Sequence, residues 1–168
     1  MKYLTSSLLL AAGLLAGPSP AQQCNDRVAR TTPTSRFILH ADGTATDRRT
    51  GLQWRRCAEG QRWDGRTCRG KAAGYTWNEA VRRFGKPDAA GWRLPSLKEL
   101  ASIAELACWG PAINLEVFPN TPASAFWSAS PLASDSGYDA WNLSFNFGNF
   151  NWNSCYLAEQ VRLVRAGQ

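Results

Sequence analysis

The sequence predicts an α+β fold in which two helices pack on a twisted, mostly antiparallel sheet. Three observations lead to this class. Short β-type segments precede two amphipathic helical segments, further β-type segments follow them, and residues 140–147 alternate apolar with polar side chains. Strands and helices segregated along one small chain in this way are typical of α+β domains. We expect a single domain over residues 22–168, because a chain of this length suits one hydrophobic core.

Residues 1–21 have the features of a secretory signal peptide. Lys2 supplies a positive start, residues 8–15 form an apolar run, and small residues precede the expected cleavage after Ala21. A lipidated Cys24 is the alternative, although glutamines rather than small residues stand before it. The apolar run is too short to cross a bilayer. We therefore expect an extracytoplasmic protein, in the periplasm or secreted, without a transmembrane segment.

The first β-type segment, RFILHADGTATDRRTGLQWRR at residues 36–56, predicts a β-meander. Asp42-Gly43 is a strong two-residue hairpin signal, and Thr50-Gly51 marks a second turn.

Both predicted helices begin with a capping box, in which a hydroxyl and a glutamate three residues later satisfy free backbone N–H groups. The first box is Thr76 with Glu79, and Gly85 ends that helix. The second box is Ser96 with Glu99. The second helix is expected to bury a longer apolar stripe formed by Leu97, Leu100, Ile103, Ala104 and Ala107.

The C-terminal third predicts strands at AFWSAS, AWNLSFNF, FNWNSCYL and QVRLVR. In AWNLSFNF, the period of two directs one set of side chains to the core and the other to the opposite face. The core set is Trp141, Leu143, Phe145 and Phe147, and the opposite set is Asn142, Ser144 and Asn146.

Asparagine is depleted in strands because its side chain competes for backbone hydrogen bonds, so an Asn-rich aromatic run predicts a surface that contacts a ligand. The predicted ligand-binding residues are Asn142, Ser144, Asn146, Asn149, Asn151, Trp152, Asn153 and Tyr156. We expect Trp152 to be exposed, whereas four other tryptophans lie in patterned elements and are expected in the core: Trp54, Trp77, Trp92 and Trp127.

Five cysteines follow the predicted leader: Cys24, Cys57, Cys68, Cys108 and Cys155. In an exported chain such cysteines form disulfides. Cys57 and Cys68 bracket a short irregular loop and are expected to pair. We also assign Cys24 and Cys108 to a disulfide, although spacing leaves the other pairings with Cys155 open. With no Cys-x-x-Cys and a single histidine, His40, we expect no metal and no cofactor.

The net charge limits the classes of binding partner that the sequence favours. Nineteen basic against thirteen acidic residues give a net charge of +6, which is too mild for a dedicated nucleic-acid binder. Scattered solubilising charge is the simplest interpretation, and an anionic polysaccharide is the alternative. The basic residues considered for sulfate are Arg48, Arg49, Arg55, Arg56, Arg82, Arg83, Lys86, Arg162 and Arg165.

The blocks GLQWRRC, TWNEA, GWRLPSLKEL, PAIN, FPNTP, FWSAS and VRLVR occur in the same order as in the Lcl C-terminal domain family, which the mature chain resembles throughout. The resemblance implies a secreted or surface-exposed bacterial module with a C-type-lectin-like fold. It also implies binding of sulfated polysaccharides such as glycosaminoglycans and, as in the trimeric namesake, a homo-oligomer.

We expect no catalysis, since the chain offers no Ser-His-acid set and no phosphate loop. The carboxylates of a calcium-dependent sugar site are also missing. The expected function is an adhesin-like recognition module for a glycan or protein ligand. Two alternatives stay open: a variable target protein of a diversity-generating retroelement, in which Asn codons mark randomised positions, and an envelope structural protein without a dedicated ligand.

Overall fold

The computed structural model describes residues 21–133 and 138–167. The predicted signal peptide, apart from its last residue, lies outside the described residues. Within these ranges there are two helices, α1 (Trp77–Phe84) and α2 (Leu97–Ala101), together with a short 3-10 helix at Thr34–Arg36. The strands are β1 (Gln23–Cys24), β2 (Phe37–Leu39), β3 (Thr44–Asp47), β4 (Leu52–Arg55), β5 (Arg62–Trp63), β6 (Cys68–Arg69), β7 (Cys108–Trp109), β8 (Ala125–Pro131), β9 (Asp139–Ser144), β10 (Asn149–Ser154) and β11 (Val164–Ala166).

The described strands form two main antiparallel sheets and two small ribbons. The first main sheet has the order β11-β4-β3-β2 and contains the predicted meander, and the second has the order β10-β9-β8. The ribbons are β1 with β7 and β5 with β6. The predicted α+β class with mostly antiparallel strands and two helices is therefore confirmed.

The turn between β2 and β3 requires its glycine for two reasons. Gly43 has a φ of 81°, a conformation that L side chains rarely adopt. A Cβ at this position would also lie 2.5 Å from Cγ of Trp63, which packs over the turn. The predicted Asp42-Gly43 turn is thus the place where the meander packs against the β5–β6 ribbon.

Both capping boxes are formed as predicted, at Thr76 with Glu79 and at Ser96 with Glu99. The helix α2 is shorter than its apolar stripe suggested. After Ala101 the chain turns, and the buried Glu105 carboxylate accepts hydrogen bonds from outside any helix. Its donors are the N–H groups of Thr31, Thr32 and Ala107, at 2.8–3.1 Å. Ile103 and Ala107 are nevertheless buried. The apolar stripe therefore predicted correctly which residues are buried, but the prediction that the helix extends to them was wrong.

The core lies on both faces of strands β8 and β9. One cluster includes Leu100 of α2 with Phe126 and Leu143, and the other includes Ala80 of α1 with Trp127. Trp54 and Trp92 are also buried as predicted. Each face of the central part of β8 and β9 is covered by its own helix, so Phe126, Trp127, Asn142 and Leu143 are all buried.

Two of the arginines considered for sulfate are structural. Arg162 is fully buried and donates to the carbonyl oxygens of Arg55 and Arg56 and to Thr121 Oγ1, the last at 2.7 Å. Burial lowers the pKa of the Arg162 guanidinium to about 9, so the group is still charged at neutral pH. Arg56 is buried as well and donates to the Val117 carbonyl oxygen at 2.8 Å. Neither side chain is available to an external anion.

Both predicted disulfides are present, Cys57–Cys68 and Cys24–Cys108. Cys155 is the remaining cysteine, a buried free thiol whose pKa is raised by burial. Over the described ranges, no helix is long and apolar enough to cross a membrane.

Candidate functional site

The predicted ligand-binding residues fall on the hairpin formed by β9 and β10. Asn151 pairs with Asn142, and Trp152 pairs with Trp141. Directly paired residues share a face of a sheet, so the register separates an asparagine face from an aromatic face. The hairpin closes through a turn in which the Gly148 N–H donates to the Ser144 carbonyl oxygen at 2.7 Å.

Large aromatic side chains project from this hairpin into solvent. The exposed fractions are 65% for Phe147, 57% for Phe150, 54% for Trp152, 68% for Tyr156 and 58% for Tyr138. We call these five residues the hairpin aromatics. The rings of Tyr138 and Tyr156 lie 5.9 Å apart. The predicted exposure of Trp152 is confirmed. Exposed apolar side chains that cluster on one part of a surface mark interaction sites, whereas single exposed residues are common.

The amides of β10 are accessible to different degrees. Asn149 and Asn151 are exposed, and Asn153 is half-buried. The Asn151 Oδ1 atom accepts a hydrogen bond from the Trp152 N–H at 2.9 Å. Asn153 Nδ2 donates to Glu159 Oε1 at 2.7 Å, while burial raises the pKa of the Glu159 carboxyl. The amides that remain available to a ligand are therefore mainly those of Asn149 and Asn151.

The positions on β9 and in the turn are more enclosed. Ser144 and Asn146 are half-buried, and the Asn146 carbonyl oxygen accepts from the Gly110 N–H at 2.8 Å. Tyr156, the last predicted position, follows β10 and is exposed.

Asn142 does not lie on an open face, and that expectation is wrong. Its side chain is fully buried on the central strand, on the same face as its paired neighbour Trp127. That face is covered by the cluster that includes α1. Neither Asn142 Oδ1 nor Nδ2 has a hydrogen-bond partner among the described residues. Alternation correctly separated two faces, but it did not reveal that both were covered.

Phe147 is a second correction, because the sequence pattern assigned it to the core. Strand β9 ends at Ser144, and the chain enters the turn before Phe147 is reached. The period of two no longer applies there, and the ring is turned outward. Trp141, also expected in the core, is half-buried.

Sequence reasoning missed two apolar side chains beside the hairpin turn. Leu106 is 61% exposed, and its Cδ2 atom lies 3.1 Å from where a Cβ of Gly148 would be. Trp109 on β7 is 40% exposed. It precedes Gly110, whose N–H donates to the Asn146 carbonyl oxygen in the hairpin turn. Leu106 lies off the apolar stripe of its segment, which was the available signal that it faces outward.

Positive charge is absent from the hairpin. Residues 138–157 contain no lysine or arginine. The guanidinium carbons of Arg55 and Arg165 instead lie 5.1 and 4.5 Å from the ring centroid of Trp92. They line an open cleft of about 320 Å³ together with Trp63 and Glu59. Burial raises the pKa of the Glu59 carboxyl, although Arg55 acts in the opposite direction.

Within the described residues, no group of three or more His, Cys, Asp or Glu side chains could hold a metal ion. His40 Nε2 lies 2.9 Å from Thr46 Oγ1, as expected for an ordinary residue at a strand end.

The fold and the site define a disulfide-bonded α+β domain that presents an aromatic hairpin. The model of the Lcl C-terminal domain family matches residues 43–165, and the chain belongs to this family. Comparison with curated proteins and with solved structures gave no significant match. The matched range begins within the β2–β3 turn, so Cys24 comes before it and its partner Cys108 lies inside it.

Proposed function

We propose that this chain is an exported, non-catalytic recognition module that binds a glycan or protein ligand through the β9–β10 hairpin. The observation that carries the proposal is the exposure of the hairpin aromatics, which are each more than half accessible to solvent. Large groups of exposed apolar side chains usually mark interaction sites on soluble proteins. Membership of the Lcl C-terminal domain family supports an adhesin-like role, and a C-type-lectin-like architecture agrees with two helices flanking a sheet.

The chemistry of the hairpin favours a neutral ligand. Aromatic rings stack on the apolar faces of sugar rings, and amides such as those of Asn149 and Asn151 bond hydroxyl groups. Sulfate groups are bound most strongly by arginine and lysine, and residues 138–157 contain neither. A sulfated polysaccharide would therefore engage a different surface, for which the cleft with Arg55 and Arg165 is the candidate.

An extracytoplasmic location fits the two disulfides, because such bonds persist in oxidising compartments. The Cys24–Cys108 disulfide crosslinks the two strands of the β1–β7 ribbon, and Gly110, which follows β7, donates its N–H to the Asn146 carbonyl oxygen in the hairpin turn. A recognition surface held by covalent links keeps its shape without a large core.

The test is the triple substitution Asn146→Ala, Asn151→Ala and Trp152→Ala, with Leu39→Ala as the matched control. Leu39 is 42% exposed on β2, in the other main sheet. Wild type and variants are passed over immobilised neutral glycans and immobilised heparin. We expect wild type and Leu39→Ala to be retained on a neutral glycan and the triple variant to bind at least about ten-fold more weakly.

Urea titrations of the same proteins separate recognition from a purely structural role. Unfolding midpoints that are equal, combined with lost retention, support the proposal. A triple variant that fails to fold supports the structural alternative, and a wild type that no probe retains contradicts recognition of glycans. If wild type elutes from heparin at a salt concentration no higher than expected for a protein of its net charge, binding of a sulfated polysaccharide is contradicted.

A further inference from the structure

Strand β10 is an edge strand, and its outer side pairs with no other strand among the described residues. It lies at the end of the order β10-β9-β8 and spans six residues, Asn149–Ser154. The other sheet edges are shorter or covered. The edge of β8 is bridged by Gln160, that of β11 by Arg93, and β2 has only three residues. Proteins usually blunt such edges with charges, prolines or short strands, and β10 has none of these.

The backbone groups that point outward from β10 can be assigned from its register. The Cys155 N–H donates to the Tyr138 carbonyl oxygen at 2.7 Å, in line with the pairs of Asn151 with Asn142 and Asn153 with Ala140. In an antiparallel ladder the hydrogen-bonding side alternates from one residue to the next. Phe150, Trp152 and Ser154 therefore direct their N–H and C=O groups away from β9. Within the described part of the chain, the Trp152 N–H donates to the neighbouring Asn151 side chain and the Ser154 carbonyl oxygen accepts from the Leu157 N–H, and these contacts are local.

The residues along this edge are arranged symmetrically. The order Asn149-Phe150-Asn151-Trp152-Asn153 has the same chemistry read in either direction about Asn151. An antiparallel pairing of two such strands about Asn151 places Phe150 opposite Trp152 of the second copy, and asparagine opposite asparagine. Phe150 and Trp152 both have outward backbone groups, as a hydrogen-bonded antiparallel pair requires. Aromatic pairs across strands stabilise a sheet.

We propose that a second copy of this chain pairs with β10 along its outer edge, in the antiparallel register centred on Asn151. The two β10–β9–β8 sheets then form one continuous six-stranded sheet around a two-fold axis. Such a contact is isologous and closes at the dimer. The inference goes beyond the proposed function, since pairing requires no ligand.

Charge and area set the strength of this dimer. Residues 149–154 carry no charge, so the net charge of +6 per chain is located elsewhere and opposes pairing only weakly. From the exposed fractions of Phe150 and Trp152, their four rings in two copies contribute roughly 350–550 Å² of accessible surface. With the paired strands added, the interface stays at the low end of specific contacts, which indicates a weak, reversible dimer.

A pair of charge variants tests the register. Asn151 is exposed, so Asn151→Lys and Asn151→Asp leave the folded subunit unaltered, which equal urea midpoints verify. Each variant places two like charges opposite one another at the axis, and this disfavours pairing. Leu39→Lys is the matched control, since it adds the same charge to an exposed residue of another edge strand.

Sedimentation velocity over a concentration series gives the outcome. We expect wild type and Leu39→Lys to pass from monomer to dimer, and each Asn151 variant alone to associate at least ten-fold more weakly. An equimolar mixture of Asn151→Lys and Asn151→Asp should restore the dimer through opposite charges. A wild type that is monomeric throughout, an Asn151→Lys variant that pairs as well as wild type, or a mixture that stays dissociated would each overturn the proposal. A monomeric wild type that a glycan still retains would remove the pairing and leave the recognition function standing.

Discussion

Replacing Asn142 by valine should stabilise the protein. The Asn142 side chain is fully buried, and both of its amide atoms lack a hydrogen-bond partner among the described residues. A buried polar group without a partner costs about 1–3 kcal/mol, and an apolar group of similar size removes that cost. Valine is close to asparagine in volume and suits a strand. We therefore expect the free energy of unfolding to rise by about 1–3 kcal/mol.

The assay is urea unfolding followed by tryptophan fluorescence, with the disulfides intact. A stabilisation of this size corresponds to a rise in Tm of about 2–4 °C per kcal/mol for a domain of this length. Asn149→Val is the matched control, because it makes the same exchange at an exposed position of the neighbouring strand. The control should change stability by no more than about 0.5 kcal/mol. A loss of more than about 1 kcal/mol in Asn142→Val would refute the reasoning, since it would reveal a buried water or another partner for the amide.

Three further predictions concern the stability of the folded domain. Removing the Cys24–Cys108 disulfide, which closes a sequence separation of 84 residues, should lower the free energy of unfolding by about 4.5 kcal/mol, measured in urea with a double serine variant. Arg162→Met leaves buried carbonyl oxygens without their donor and should cost about 3 kcal/mol or more, measured in the same way. Glu159→Gln should stabilise the protein at pH 7, because burial raises the pKa of Glu159 in the folded state and penalises its charged form. That gain should vanish as pH falls below 4.5, where the carboxyl is protonated in both states, and paired urea titrations at pH 7 and pH 4 measure it.

The elements that the sequence predicted well are those determined by near neighbours. The capping boxes at Thr76 and Ser96 and the turn at Gly43 depend on residues within four positions, and all three formed as expected. The Cys57–Cys68 pair likewise closes a short loop.

The features that the sequence did not reveal depend on distant parts of the chain. The early end of α2 reflects hydrogen bonds between Glu105 and Thr31 and Thr32, more than 70 positions away. The burial of Asn142 reflects a helix packed on a face that alternation alone left open. At the candidate site, exposure of Trp152 was predictable from its amide-rich surroundings, whereas that of Phe147 depended on where β9 stops.

The two strands of the hairpin differ in how much change they tolerate. Strand β9 lies between two packed layers, while β10 pairs with it along one side and its residues 149–152 are exposed on the subunit surface. Mutations in residues 149–152 should consequently have little effect on folding, and new side chains there would still be held at fixed spacing by the pairing with β9. The packed strand β9 therefore constrains its own sequence, whereas the exposed positions of β10 can be substituted while the fold is kept. Natural or engineered variants could change the binding preference at those positions alone.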